Sequence, residues 1–309
     1  MPGDGAAGGI VCARRIWGRK PRLSDRINFG LHNLIDSMAA SGGTSRSVMA
    51  SGERQGQLWS AAPRDWAEWQ EPFCRPLWQD TLSVLGAKPG VRFLDAGCGA
   101  GGASVLAAAL GSEVTGLDAS RALLAIARER LPQSRFVHGD LEQLPFATGH
   151  FHAALAANSV IFAEDIRQAL RELRRVIQPG GRLAITSWGK PEQCEMRDVF
   201  AAVTSALPQR PPGGGPFAWS ADGALANLLS EAGLKVIAEG GSQCDFRYPS
   251  FAALWRAQSS VGNFQPALQA VGPDRLRQIV GEALRPYTQE DGAIVMRNVY
   301  RWAAGQVAP

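Results

Sequence analysis

The sequence predicts an α/β fold, a doubly wound and largely parallel sheet with helices on both faces. Three observations carry this expectation. The apolar run Val91 to Leu94 meets an acid and then a glycine cluster, Asp95-Ala96-Gly97-Cys98-Gly99-Ala100-Gly101-Gly102, with four glycines in six positions. Behind it Ala103 to Leu110 is small, apolar and helix-forming. Strand-like and helix-like segments then alternate as far as Ser187. That order calls for parallel crossovers and puts ligands at the C-terminal ends of the strands.

Composition bounds the answer. The chain has 309 residues, 45% hydrophobic and 19% charged, enough for a substantial core. No run of 18 or more apolar residues occurs, so no membrane span is expected. Cys12, Cys74, Cys98, Cys194 and Cys244 are scattered and lack metal-ligand spacing. This favours a reducing, cytoplasmic setting with neither disulfides nor a metal site. The net charge of +4 resides in residues 1–50, which hold seven basic and three acidic groups. Residues 51–309 balance at 25 of each, which speaks against a nucleic-acid-binding core.

Residues 1–50 are rich in Gly, Ser, Ala and Arg with little periodicity. They read as an extension: a disordered tail, a start assigned upstream of the true initiator at Met38 or Met49, or, less favoured, a targeting peptide. Residues 51–309 form the domain. Trp59, Trp66 and Trp69 lie in a dense aromatic stretch, read either as core filling or as a lid over a ligand. A helix follows from Phe73 to Leu85, and Pro89-Gly90 turns into the first strand.

The glycine stretch then reads as a strand, a tight turn and a helix N-terminus, a nucleotide-type cofactor site. Its spacing also satisfies a dinucleotide fingerprint through Gly97, Gly99 and Gly102, so the cofactor class stays open here. The second strand ends at Asp118-Ala119, about 21 residues beyond Gly97, with Ser120 as helix cap. The third strand, Arg135 to His138, leads to Asp140-Leu141, and the fourth, Ala153 to Ala157, ends at Asn158-Ser159. An amphipathic helix spans Asp165 to Ile177 and stops at Pro179-Gly180-Gly181, before the fifth strand, Arg182 to Ser187. Beyond it the pattern gives helices at 195–207 and 222–232, a Pro/Gly loop at 208–216, and a sixth strand over Lys235 to Tyr248. Two helices across 250–285 and a final alternating strand, Ala293 to Trp302, complete the chain.

Four segments in this order, LDAGCGAGG (94–102), VTGLDAS (114–120), FVHGDLEQLPF (136–146) and LRRVIQPGGRLAITSW (173–188), resemble a class I S-adenosylmethionine-dependent methyltransferase. The group is similar to the ubiquinone/menaquinone, type 11, small-molecule enzymes. The resemblance implies a Rossmann-like seven-stranded sheet with an antiparallel last strand and S-adenosyl-L-methionine as cofactor. It implies that Gly97, Gly99 and Gly101 approach the methionine part and that Asp95 orders the loop and reaches the amino group. Asp118 would bind the ribose, Asp140 and Leu141 the adenine, and Asn158 would meet the sulfonium. Trp59, Cys98 and Ala119 complete the expected cofactor set, with Cys98 as small filler. The strand opening His150-Phe151-His152 departs from the family's usual Phe-Asp, so no role passes to an acid there.

Added helices from 51–86, 190–232 and 250–285 are expected to cap the C-terminal edge of the sheet. Trp188, Phe162, Phe217, Trp219, Phe251 and Trp255 are expected pocket walls, implying a small apolar or aromatic substrate. Methyl transfer from a sulfonium is an in-line displacement, so no obligatory catalytic residue is expected. Two alternatives stand beside it: a non-catalytic cofactor-binding regulator or scaffold, and a nicotinamide-dependent oxidoreductase.

Overall fold

The computed structural model describes residues 51–209 and 215–309; the expected extension over 1–50 and the centre of the Pro/Gly loop lie outside the described residues. The first strand, β1 (Arg92–Ala96), is buried along nearly its whole length, as a parallel strand covered on both faces must be. It pairs in parallel with β2 (Glu113–Asp118) on one side and β4 (Phe151–Ala156) on the other. The sheet extends outward to β3 (Arg135–His138) and to β5 (Ile177–Trp188). β9 (Val299–Val307) lies antiparallel between β5 and β6 (Leu234–Gln243), giving the order β3-β2-β1-β4-β5-β9-β6. The order reverses between β1 and β4, and the crevice at that switch is where such sheets bind ligands.

Helices α1 (Ser51–Trp59) and α2 (Arg75–Leu85) precede β1. α3 (Gly102–Ala109) follows the glycine turn, and α4 (Arg121–Arg130) follows β2. Ser120 caps α4 by accepting from the Leu123 N–H at 3.2 Å. α5 (Ile166–Val176) buries Ile166, Ala169, Leu170, Leu173 and Val176, the stripe its periodicity predicts. α6 (Met196–Ser205) and α7 (Ala224–Glu231) follow β5.

The second half departs from expectation in three places. The single strand expected over Lys235 to Tyr248 is broken: β6 stays in the main sheet, and β7 (Phe246–Tyr248) pairs with β8 (Ile294–Met296) in a separate two-stranded ribbon. The final strand breaks opposite it, at Arg297-Asn298. Buried Asn298 makes that break: its carbonyl accepts from Cys244 N at 2.8 Å and its side-chain oxygen from Met196 N at 3.1 Å. β9 then runs five residues past the expected end at Trp302. Residues 250–285 hold three helices, α8 (Phe251–Ser259), α9 (Gln265–Val271) and α10 (Pro273–Ala283), because Gln265-Pro266 and Gly272-Pro273 each restart a helix.

β5 also begins earlier than expected. Ile177 pairs with Phe151, then the register shifts so that Arg182 meets Ala153, with Pro179-Gly180-Gly181 bulging between. Between β1 and α3, Gly97 has φ +77° and no room for a side chain, since a Cβ there would come within 2.3 Å of the Ser159 Cβ. Ser159 is fixed in turn by its hydroxyl donating to Ala96 O at 2.6 Å. The ends of β1 and β4 are thereby locked together.

Candidate active site

The cleft at the switch point is lined by the β1 glycine turn, the ends of β2 and β4, α1, and residues of α6 and α8. Trp59, Asp95, Gly97, Cys98, Gly99, Asp118, Ala119, Asp140, Leu141 and Asn158 all line it. Gly101 does not. It sits at φ +85° as the N-cap of α3, close against Ala127 of α4, so its role is to turn the chain. Of the six expected aromatic walls, Trp188 and Phe162 reach the cleft, whereas Phe217, Trp219, Phe251 and Trp255 pack elsewhere.

Three acids face the cleft from three strand ends. Asp95 is buried and accepts from Ser104 Oγ at 2.7 Å; burial, the largest influence, pushes its carboxyl up to about 7. Asp118 accepts from Gly99 N at 2.9 Å and Ser120 N at 2.7 Å, and burial outweighs these bonds and raises its pKa as well. Asp140 accepts from Gly52 N at 2.8 Å and Glu142 N at 2.9 Å. The first of these bonds ties α1 to β3. Cys98 is buried, and burial lifts its thiol well above the ordinary value, which suits small filler and not a nucleophile.

α1 packs closely against Ala119 and Asp140 at the cleft because two of its positions are glycine. A Cβ on Gly52 would fall 2.7 Å from an Asp140 oxygen, and one on Gly56 would fall 2.3 Å from the Ala119 carbonyl. Ser60 Oγ and Ser120 Oγ add a hydrogen bond at 2.7 Å. Gly56→Ala is therefore expected to push α1 off the β2 end at a cost of roughly 1–3 kcal/mol, the overpacking scale. Cofactor affinity should fall at least several-fold; unchanged affinity by calorimetry would mean that α1 does not cover the ligand.

Sequence reasoning missed Glu71. It is 4% exposed, pairs with Arg130 of α4, and accepts from Ala100 N at 3.1 Å and Gly102 N at 3.4 Å. Burial raises its carboxyl against the pull of Arg130. Glu71 thus occupies the anion-binding N-terminus of α3. The other turn amides are also spoken for: Gly97 N and Cys98 N donate to Leu117 O, Gly99 N to Asp118, and Gly101 N to Cys98 O. No backbone donor from Gly97 to Gly102 remains for a pyrophosphate. Among the described residues no Lys, Arg or His lines the cleft either.

This charge pattern suits a cationic adenosyl ligand and opposes a dinucleotide. The family model described as a methyltransferase domain matches residues 94–185, which span β1 to β5. Residues 94–185 carry a methyltransferase domain. Among curated relatives, a malonyl-(acyl-carrier protein) O-methyltransferase of Pseudescherichia vulneris is 36% identical over 126 residues, 41% of this chain and 50% of the relative. A demethylmenaquinone methyltransferase of Beutenbergia cavernae is 38% identical over 116 residues, 37% of this chain and 48% of the relative. The chain spans about half the length of the curated relatives it matches. Among solved structures, the (4+2)-cyclase SpnF superposes with a TM-score of 0.56 at 20% identity, covering 84% of this chain and 98% of that one. The Bacillus subtilis YcgJ protein gives 0.50 at 17% identity, covering 75% and 98%. At these identities the likeness is one of fold.

The part of the cleft beyond Asn158 is walled by residues of α6, α8, β7 and β9 and is mostly aromatic. Trp188 lies 4.4 Å from Tyr300 with the rings tilted by 35°, and it meets Phe200 edge-on at 5.1 Å. Asn158 itself stands in the left-handed region at φ +52°, held there by Thr186, whose hydroxyl accepts from Asn158 N at 2.8 Å and donates to Asn158 Oδ1 at 2.9 Å. His150 and His152 lie away from the cleft. His152 Nδ1 accepts from Arg92 N at 2.9 Å, and burial lowers its pKa. Among the described residues no cluster of His, Cys, Asp and Glu is arranged to hold a metal, and no helix is long and apolar enough to cross a membrane.

Proposed function

We propose that the protein transfers a methyl group from S-adenosylmethionine to a small, apolar or aromatic molecule. The observation that carries the reading is the division of one cleft into an acidic half at the strand ends and an aromatic half beside Trp188. When bound, the cofactor supplies an activated methyl on a sulfonium, so the protein's task is alignment and exclusion of water. Asp118 accepts from the ribose hydroxyls, Asp140 and Leu141 hold the adenine, and Asp95 faces the amino group. Asn158, fixed by Thr186, marks the boundary between the halves. Trp66 Nε1 is buried without a partner, and a Cβ on Gly99 would lie 3.5 Å from it, so this indole offers a donor to the cofactor's carboxylate. Two curated relatives are demethylmenaquinone methyltransferases, which supports an aromatic acceptor.

Among the described residues, the titratable groups at the aromatic half are Cys74, Tyr248 and Tyr300, and burial raises all three. None is a base at neutral pH. The acceptor therefore enters as a nucleophile that needs no protein base, such as an amine, a stabilised carbanion or a readily ionised hydroxyl. The test is incubation with isotopically methyl-labelled cofactor and panels of quinols, phenols and amines. Labelled product supports the reading. Cofactor binding without product from any panel would favour a scaffold.

Asp95 gives this reading a pH signature. With its carboxyl near 7 before binding, it holds a proton across a window where an ordinary aspartate has lost one. A cationic amino group beside it favours the ionised form and lowers that value. Binding at about pH 6.5 should therefore release up to one proton, and affinity should rise with pH and level off above about 7. Calorimetry in two buffers of different ionisation enthalpy reads this directly. Proton uptake, or none, would remove Asp95 from the ammonium.

A further inference from the structure

The aromatic half of the cleft contains one built polar feature. Gln70, Tyr248 and Gln258 are 5%, 1% and 2% exposed, respectively. Tyr248 Oη donates to Gln70 Oε1 at 2.5 Å, while Gln258 Nε2 donates to the same oxygen at 3.0 Å and to Tyr248 Oη at 3.1 Å. The triad consumes one edge of each amide. Gln70 Nε2 and Gln258 Oε1 have no partner among the described residues, and both side chains line the cleft. These two atoms open onto the cleft, so together they offer a ligand one donor and one acceptor beside an aromatic chamber.

The scaffold around the triad is fixed from both sides. Gln70 ends a π-helical turn, Trp66–Gln70, a geometry that recurs at functional sites. Gln258 lies on α8, which is bound to that turn by the Arg256–Asp65 ion pair and by Arg256 stacked 5.4 Å over Trp69. The amides are therefore held in place before a ligand arrives, which favours directional recognition over loose apolar packing.

We propose that Gln70 and Gln258 are the specificity-determining residues for the acceptor, and that they select an uncharged aromatic molecule with a carbonyl oxygen beside an N–H or O–H. The carbonyl accepts from Gln70 Nε2, and the adjacent N–H or O–H donates to Gln258 Oε1. Carboxylate and phosphate acceptors are disfavoured, since among the described residues no Lys, Arg or His lines the cleft to meet them. The inference rests on the methyl-transfer reading of the same cleft and adds the chemical class of the acceptor.

The test uses the full chain and calorimetric titration with 2-quinolinone, its N-methyl derivative, 2-methylnaphthalene and 2-naphthoate, with and without S-adenosylhomocysteine present. 2-Quinolinone should bind at least tenfold more tightly than the other three. Gln70→Met and Gln258→Met, close in volume, should each erase most of that preference and leave S-adenosylhomocysteine affinity within about twofold of the wild type, which also reports that the fold survives. Equal binding of all four probes, preferred binding of 2-naphthoate, no binding of any, or a preference that persists in both variants would overturn the proposal. If S-adenosylhomocysteine binds and the preference is absent, the acceptor assignment alone fails. If S-adenosylhomocysteine does not bind, the cofactor reading fails, and the titrations without it still judge the amide pair.

Discussion

Glu71→Ala should lower folding stability by about 3 kcal/mol. Removing one member of a buried ion pair strands the other and commonly costs roughly 3–5 kcal/mol, and the lower end applies because Arg130 keeps some solvent access. The variant also strips acceptors from Ala100 N and Gly102 N at the start of α3. For a domain of this size the loss corresponds to a fall in melting temperature of roughly 6–12 °C. Glu71→Gln keeps an acceptor for the two amides and loses only the charge, so it should fall between the variant and the wild type. A wild-type denaturation midpoint for Glu71→Ala would show that the carboxylate does not hold the glycine turn.

Asp118→Ala should act chiefly on the ligand. The carboxylate joins the glycine turn to the start of α4 through Gly99 N and Ser120 N, and it faces the cleft where β2 ends. Without it, two backbone donors and the ligand's hydroxyls lose their acceptor. The scale for unpaired buried polar groups is roughly 1–3 kcal/mol, which weakens cofactor binding about fivefold to a hundredfold. Calorimetry on a variant that retains a cooperative melt decides the matter. Unchanged affinity would sink the ribose assignment.

The first half of the fold is legible because its signals are local. β1 to β5 are short, largely apolar segments ending in Ala96, Asp118, His138, Ala156 and Trp188, and the helices between them carry clear stripes or caps. The acids at strand ends point into the cleft for the same reason: a parallel sheet brings its C-terminal ends to one edge. The second half is harder because its breaks are tertiary. Asn298 interrupts an alternating strand only because Cys244 and Met196 bring it partners from remote segments. Phe217, Trp219, Phe251 and Trp255 have the composition of pocket walls, yet which face of a helix meets the cleft is set by packing.

The polar residues that complete the site leave still less trace. Glu71 lies 29 positions before Ala100 and follows no motif, and its function exists only once α2 and α3 pack together. Gln70 and Gln258 are separated by 188 positions. Each reads alone as an ordinary glutamine in a helical stretch. The glycine turn itself was ambiguous between cofactors by spacing, and what resolves it is the occupancy of its own amides by Glu71, Asp118, Leu117 and Cys98.

The most direct test of the account is calorimetric titration of the full chain with S-adenosylmethionine, S-adenosylhomocysteine and a reduced nicotinamide dinucleotide. Micromolar binding of the first two, with none of the third, is the expected result. Binding of the nicotinamide dinucleotide instead would contradict the account, because it would require a free anion site in a turn whose backbone donors are all engaged.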